Sequence, residues 1–457
     1  MLRHGLGALP DMPLNPLDCF EDHFNVMFVI FYKQTLEGNH LRDALQKLLR
    51  EYPLLTGRLG KNAQGKSCIK MNDAGVPFEE TTHPSTLEEW QQPARDKVAQ
   101  FGKRINPQLP LRSLQPVARV RLTHLKGGGS VLCTSFAHML ADGRGLCDFL
   151  RNWAAVVRGD TPVAPLWNRA ELLINFHKKE GEKGEALLPS QHGLLPSEYA
   201  MLPLSFLGFD LLSWKNLARL YGNILVHLPF MTGLTLEMSA AQLAQIKEEA
   251  NAGHETRLSL HEIISVWLLK LFNLKCDQKY VANSSKQSRL FMVADLRSRI
   301  PAFVGKNVFA NVVGHVFATF SPAEIRTRSI RSLAADVREA MKCLKADRMP
   351  QQMSWLQQQL KHKNMPRVFA SHNPFSPDLF ISNCLSIPFY DIDFGSGQPY
   401  CFTMPTEMAP RIINIFPTAT GEGCALHVNV TKKMARALLS SSSHETFPFL
   451  GASQNGH

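Results

Sequence analysis

The sequence predicts an α/β protein of the α+β type, with two similar mixed-sheet lobes and a long crossover between them. Short apolar runs typical of strands alternate with amphipathic segments in both halves of the chain. Between the halves the steady periodicity is lost and prolines become frequent, which indicates a connection. The chain has 457 residues, and 44% of them are hydrophobic, enough for sizeable cores. We therefore expect lobes at 1–165 and 235–439, a crossover at 166–234 and a flexible tail at 440–457.

In the first lobe, residue spacing predicts strands around one early helix. Leucines recur from Leu41 to Leu49 at helical spacing, and Pro53 follows, so an amphipathic helix should stop before the proline. The predicted elements are a strand at 25–33, a helix at 41–52, a strand pair around a turn within 66–80 and a strand at 115–125.

The second lobe repeats this texture. Ser239 and Ser259 stand where helix N-caps are expected, because a serine hydroxyl can accept a hydrogen bond from a free backbone N–H. The predicted elements are helices at 239–250, 260–271 and 329–346, and strands at 290–296, 311–320, 379–382, 412–416 and 425–430.

One apolar segment inside the predicted crossover has two interpretations. The segment 202–217, with Phe206, Phe209 and Trp214, could lie on a membrane or cover a pocket. It could instead pack across the lobes, which is the commoner arrangement and the one we favour.

The charge of the chain narrows the class of partner. The net charge is +11, but the lysines and arginines form no basic block and no nucleic-acid-binding signature. We therefore expect no nucleic acid. The positive charge suits a polyanionic small molecule, or it is simply a basic surface in solution.

Cysteine usage and the apolar runs indicate the compartment. The nine cysteines stand singly and form no CxxC pair, which is typical of reduced thiols inside a cell and predicts no metal site. No apolar run is long enough to cross a bilayer, and the first residues lack a secretory signal. We expect a cytoplasmic protein without a transmembrane segment.

The segment 130–150, SVLCTSFAHMLADGRGLCDFL, predicts a buried strand, a turn and a helix, with His138 at the end of the strand. A histidine there can take up a proton near neutral pH, because its unperturbed pKa is roughly 6.5. The alternative is a structural histidine held by local hydrogen bonds. Asp142 could orient the imidazole, as in a hydrolase triad, or pair with an arginine and fix the turn. Gly143 favours the second role, because a glycine there suggests a strained backbone.

A second motif, DFGSG, begins at Asp393. Together the two motifs resemble the HxxxDG and DFGWG signatures of the BAHD acyltransferases, in that order and at about that separation. Further segments resemble landmarks of the family: PLNPLD at 13–18, LRDALQKLLREYPLLTGRL at 41–59, ADLRSR at 294–299 and ISN at 381–383. Ser396 and Cys384 stand where the family usually has tryptophan.

The resemblance implies a fold and an activity. The fold would be that of chloramphenicol acetyltransferase, with the active site in a channel between two lobes. The activity would be transfer of an acyl group from acyl-coenzyme A to a hydroxyl, less favourably an amine, of a small apolar acceptor in specialised metabolism. Acyl-coenzyme A would be a co-substrate, with no permanently bound cofactor, and the enzyme would be a monomer.

The resemblance also implies roles for individual residues. His138 would be the general base, and Ser382 would donate a hydrogen bond to the oxyanion, although that serine could equally bond nearby backbone. Arg297, in ADLRSR, would pair with Asp142. Asp393 and Gly395 would hold a loop at the lobe junction; the residues that bind coenzyme A are not indicated.

Two other functions remain open from the sequence. A condensation-type enzyme would take its acyl group from a carrier-protein thioester, but Ala137 stands where such domains usually have another histidine. A catalytically inactive ligand-binding relative would keep the fold without the chemistry, and the intact His138, Asp142 and Gly143 speak against it.

Overall fold

The computed structural model describes residues 1–21, 24–63, 65–91, 93–105, 115–172, 209–277, 287–344, 348–440 and 451–452. Its α-helices are α1 (Pro16–Phe20), α2 (Gly38–Leu48), α3 (Gly143–Arg158), α4 (Trp214–His227), α5 (Ala240–Asn251), α6 (Leu260–Cys276), α7 (Pro322–Thr327), α8 (Ile330–Lys342), α9 (Arg348–Lys361) and α10 (Lys432–Leu438). Ser239 and Ser259 cap α5 and α6, which confirms their predicted role.

Among the described residues, the strands form two large sheets and three small ones. They are β1 (Met12–Pro13), β2 (Asn25–Tyr32), β3 (Arg58–Lys61), β4 (Ser67–Lys70), β5 (Phe78–His83), β6 (Ala118–Leu125), β7 (Ser130–Ala137), β8 (Pro165–Leu166), β9 (Phe209–Leu211), β10 (Met231–Met238), β11 (Ser288–Asp295), β12 (Asn307–Val308), β13 (Val313–Phe320), β14 (Val368–Ala370), β15 (Leu379–Asn383), β16 (Cys401–Thr403), β17 (Ile412–Pro417), β18 (Cys424–Thr431) and β19 (Gly451–Ala452).

The first large sheet has the strand order β16-β2-β7-β6-β5, antiparallel except for the parallel pair β5 and β6. β2 and β7 lie side by side and are buried along almost their whole length, because nearly all their side chains are apolar or small. α2 and α3 pack on one face, where the buried Trp153 donates its indole N–H to the carbonyl of Leu41 at 3.0 Å. The strands and helix predicted at 25–33, 115–125 and 41–52 are confirmed as β2, β6 and α2.

The second large sheet has the order β13-β11-β15-β17-β18-β10-β19. β11, β15 and β17 run parallel to one another, and the other neighbours are antiparallel. α6 is buried over most of its surface against this sheet, as its uniformly apolar sequence predicts. The strands predicted in the second lobe are confirmed to within a few residues.

A strand from the second half completes the first sheet. β16 pairs antiparallel with β2, Phe402 lying opposite Ile30. The rings of Phe389 and Phe402 pack on Phe28, with centroids 5.5 and 5.2 Å away. The lobe boundaries stay predictions, but part of the segment assigned to the second lobe lies on the first.

The strand pair predicted within 66–80 is wrong. β4 pairs with β3 and β1, whereas β5 pairs with β6. The turn between them exists, and Gly75 has a φ of 94°. However, its N–H donates to the carbonyl of Thr56 at 2.9 Å, and Val76 forms a bridge with Leu2. These contacts draw the chain away from β4 after the turn.

The described part of the predicted crossover contains regular structure: the end of β8, the whole of β9 and α4, and the start of β10. Phe209 is fully buried and stacks on Trp355 with ring centroids 5.6 Å apart, whereas Trp214 at the start of α4 is 65% exposed. Phe206 lies outside the described residues. β19 pairs with β10, so the predicted tail contains a paired strand. In the described part of the chain, every helix is too short or too polar to cross a membrane.

Candidate active site

His138 leaves the first sheet at the end of β7 and begins a single turn of 3₁₀ helix. Its backbone N–H donates to the carbonyl of Phe24 at 3.0 Å, and its carbonyl accepts from the side-chain amide of Asn311 at 3.0 Å. The side chain is 24% exposed. The histidine is therefore fixed through its backbone while part of its ring stays accessible.

The carboxylate of Asp142 forms a buried ion pair with the guanidinium of Arg297. Its two carboxylate oxygens accept from the two terminal nitrogens of the guanidinium at 2.9 Å each, and both side chains are almost fully buried. The same oxygens accept from the backbone N–H groups of Gly145, at 3.0 Å, and Val312, at 2.9 Å. Burial opposes ionisation of Asp142, but Arg297 and the two N–H groups outweigh it and hold the pKa of this carboxyl below its ordinary value.

Arg297 joins segments that are far apart in sequence. Beyond Asp142, its guanidinium donates to the carbonyls of Val308 and Ala310 at 3.0 and 2.9 Å, and to Asp295 at 3.0 Å. Burial alone would lower the pKa of Arg297, but Asp142 and Asp295 raise it above its ordinary value. This ion pair holds the start of α3 against the loop that follows β11.

Gly143 does not have the strained backbone that its position suggests. It is the first residue of α3 and its φ is not positive. A Cβ atom there would meet only Ile387, at 3.6 Å. The crowded glycine is Gly145, where a Cβ would lie 3.0 Å from the Cβ of Ala141 and 3.2 Å from the carbonyl oxygen of Val308.

Ser382 lies near the end of β15 and is half-buried. Its hydroxyl is 3.6 Å from the thiol of Cys384, whose pKa burial raises to about 11. The neighbouring Asn383 bonds through its amide to Nδ1 of His261 at 3.0 Å. The serine thus stands in the second sheet, beside a thiol that stays protonated near neutral pH.

Asp393 shapes its own loop. One carboxylate oxygen accepts from the N–H groups of Gly395 and Gly397 at 2.8 and 2.9 Å, and both glycines have positive φ. The carbonyl of Asp393 accepts from Arg158 at the end of α3. Phe394 packs between the rings of Tyr32 and Trp153. These contacts hold a loop and place no group beside His138.

A family model described as "Transferase family" matches residues 8–444. The chain belongs to this family, the BAHD acyltransferases. It is 23% identical to tryptamine hydroxycinnamoyltransferase 2 of Oryza sativa subsp. japonica, covering 84% of this chain and 82% of that one.

Solved structures show the same fold. Vinorine synthase superposes with a TM-score of 0.69 at 18% identity, over 97% of this chain and 94% of that one. TRI101 of F. sporotrichioides, solved with coenzyme A and T-2, superposes with a TM-score of 0.71 at 14% identity, over 95% and 98%. The predicted fold is confirmed, and BAHD acyltransferases take their acyl group from acyl-coenzyme A.

A buried network that was not predicted from the sequence holds the turn of His138 in this BAHD chain. Arg169 pairs with Asp18 at 2.8 Å, and both side chains are at most 1% exposed. The same guanidinium donates to the carbonyls of Met139 and Leu140 at 3.2 and 2.6 Å. The Asn15–Asp18 capping box of α1 can be recognised in the sequence, but no local sequence pattern indicates the role of Arg169.

Two further missed residues are carboxylates near His138. Glu21, at the C-terminal end of α1, has a carboxylate oxygen 3.6 Å from Nδ1 of His138. Glu407 comes from the second half. Burial raises the pKa of Glu407, and the positive charges of Arg104, Arg95 and His138 oppose that rise. Burial likewise raises the pKa of Glu21, and the positive charge of His138 opposes that rise. Two carboxyl groups therefore interact electrostatically with this histidine.

Basic side chains that could hold the phosphates of acyl-coenzyme A line a cavity of about 570 Å³ beside α3. Arg144, Arg151 and Arg158 lie on one wall, and Lys306 on the opposite loop. Asp148 pairs with the first two arginines at 2.8 and 3.4 Å, so part of the charge is already compensated.

Proposed function

We propose that this protein transfers an acyl group from acyl-coenzyme A to the hydroxyl of a small, largely apolar acceptor, with His138 as general base. The observation that carries the proposal is the position of His138, which has a fixed backbone and a partly accessible ring while Asp142 is occupied by Arg297. In this arrangement the imidazole is the proton acceptor and Asp142 maintains the turn.

The proposed reaction needs no covalent enzyme intermediate. His138 would remove the proton of the acceptor hydroxyl as its oxygen attacks the thioester carbonyl. The tetrahedral intermediate would collapse to the new ester, and the imidazolium would return the proton to the departing sulfur. The hydroxyl of Ser382 would donate to the oxyanion, an interaction that typically supplies a few kcal/mol.

The nucleotide end of acyl-coenzyme A would lie in the basic cavity beside α3. Its phosphates match the excess of positive side chains there. Lys306→Ala should raise the KM for acyl-coenzyme A about fivefold and leave the KM for the acceptor unchanged. Lys61→Ala, on an exposed strand end, is the matched control and should change neither.

The test of the base is His138→Ala, which should lower kcat by about 10²- to 10⁴-fold in a protein that still folds. More than a tenth of wild-type activity would refute the role.

Both substrates should bind before a product leaves, so initial rates should show sequential kinetics without a burst of acyl-enzyme. Parallel double-reciprocal lines with a trapped adduct would refute the direct transfer.

The proposal also specifies the acceptor group, the cellular compartment and the oligomeric state. We propose that the acceptor group is a hydroxyl and not an amine, although tryptamine hydroxycinnamoyltransferase 2 is named for an amine. A panel of alcohols and amines assayed with free acyl-coenzyme A decides between them, and turnover with free acyl-coenzyme A also separates this enzyme from a carrier-dependent condensation enzyme and from an inactive relative. We further propose a cytoplasmic monomer, and the nine cysteines, which stand singly in the sequence and form no CxxC pair, support a reducing compartment.

A further inference from the structure

Glu21 is the carboxylate that faces the non-reacting nitrogen of His138. Its carboxylate oxygen lies 3.6 Å from Nδ1, and its side chain is 9% exposed. Nδ1 is buried and has no hydrogen-bond partner among the described residues. A distance of 3.6 Å is too long for a hydrogen bond, but catalytic contacts often tighten only when substrate binds.

The position of Glu21 relative to His138 is set by the buried network around α1. Asp18 caps α1 together with Asn15 and pairs with Arg169, which also holds the carbonyls that follow His138. The amide of Asn311 donates both to Asp18, at 3.2 Å, and to the carbonyl of His138, at 3.0 Å. The helix that carries Glu21 and the turn that carries His138 are thus bound to the same side chains.

The other acidic groups around His138 have their own cationic partners. Asp142 is paired with Arg297, and Asp18 with Arg169. Among the residues that the structure describes, Glu21 forms an ion pair with His138 alone. Its carboxylate is therefore the group available to respond to charge on the imidazole.

Glu407 is the remaining carboxylate near the ring. Arg95 and Arg104 both act on its charge. Arg95 is fully buried and donates to the carbonyls of Met404 and Pro405, so its guanidinium is fixed beside this segment. Positive charge from two arginines should weaken the influence of Glu407 on the imidazole.

We propose that Glu21 is a positioning residue for His138, which accepts the Nδ1–H hydrogen bond and stabilises the imidazolium during transfer. The inference rests on the proposed role of His138. The bond fixes the tautomer in which Nε2 is free to take the acceptor proton. Burial raises the pKa of Glu21, and the positive charge of His138 opposes that rise. In the proposed step the proton moves from the acceptor oxygen to Nε2 and then to the leaving sulfur, and none is transferred to Glu21.

Glu21→Gln tests the proposal, because it removes the charge and keeps the shape. We expect kcat to fall on the order of 10- to 100-fold, with a KM for acyl-coenzyme A within twofold of wild type. The acidic limb of the pH–rate profile should move to lower pH by about one unit, since the imidazolium loses its anionic partner. Glu21→Asp should recover part of the rate, which loss of packing alone would not produce.

A second measurement does not depend on turnover. The titration midpoint of the His138 ring, followed by NMR with labelled histidine, should fall in Glu21→Gln and move less in Glu407→Gln. If the midpoint and kcat of Glu21→Gln match wild type, or if Glu407→Gln has the larger effect, the inference is overturned and the base role of His138 stands. If His138→Ala retains activity, the proposed function fails whatever the titration shows.

Discussion

Asp142→Asn is the sharpest test of how the site is built. Asp142 accepts four hydrogen bonds, two from Arg297 and one each from Gly145 and Val312. Asparagine keeps a single acceptor oxygen and turns an NH₂ group toward two of these donors. Two lost charge-assisted bonds cost about 1.5 to 3 kcal/mol each, so we expect a loss of about 4 kcal/mol, in the range for a buried ion pair stripped of one charge.

The expected change in melting temperature follows from the size of the chain. Unfolding entropy of about 2.1 cal/mol/K per residue gives about 1 kcal/mol/K for the whole molecule, so Tm should fall by about 4 °C if the chain unfolds as one unit. The matched control is Asp148→Asn, the same change on the same helix. Its partners Arg144 and Arg151 are 34% and 41% exposed, so Tm should fall by no more than about 1 °C.

A double variant checks the cause. Asp142→Asn combined with Arg297→Gln should be less destabilised than the sum of the two single variants, because neither partner is then a buried charge left alone. Calorimetry measures the Tm of each variant, and the pH dependence of turnover gives its pH optimum. If Asp142→Asn melts like Asp148→Asn while its pH optimum moves, the carboxylate orients the imidazole and the reasoning is refuted.

Three further predictions concern other residues. Ser382→Ala should lower kcat by about 10- to 100-fold with Tm unchanged, and a rate within twofold of wild type would remove the serine from the oxyanion site. Iodoacetamide at pH 7.5 should modify the exposed Cys343 well before Cys384, whose pKa is raised to about 11 by burial, and peptide mass spectrometry would show the order. Burial, with Arg411 nearby, lowers the pKa of His372 to about 3, so this histidine favours unfolding as pH falls below about 6.5 toward 3, by up to about 1.4 kcal/mol per pH unit. His372→Gln should flatten the dependence of Tm on pH in that window; an unchanged slope would contradict it.

Local patterns in the sequence predicted the elements that depend on near neighbours. The buried run of β2 and the serine caps of α5 and α6 are examples, because burial period and capping act within a few residues. The Asp142–Arg297 pair was reached only through resemblance, since the two residues are far apart in sequence and pair through tertiary structure.

Other features had no local signal. β16 has only three residues, and its pairing with β2 depends on long-range packing. Glu21 reaches His138 because Asp18 and Arg169 dock α1 on the histidine turn, which no spacing rule anticipates. The predicted strand pair within 66–80 is wrong for the same reason. The turn forms, but contacts with residues far away in sequence determine the path of the strand that follows it.

The pairing of β16 with β2 connects the two halves of the polypeptide through backbone hydrogen bonds. A fragment ending near residue 165 would present the bare edge of β2, and unpaired strand edges recruit other chains into aggregates. A soluble first half would therefore have to carry the 389–404 segment, grafted or supplied in trans. The same pairing opposes a hinge motion that would separate the two halves, because the β16–β2 hydrogen bonds would have to break first.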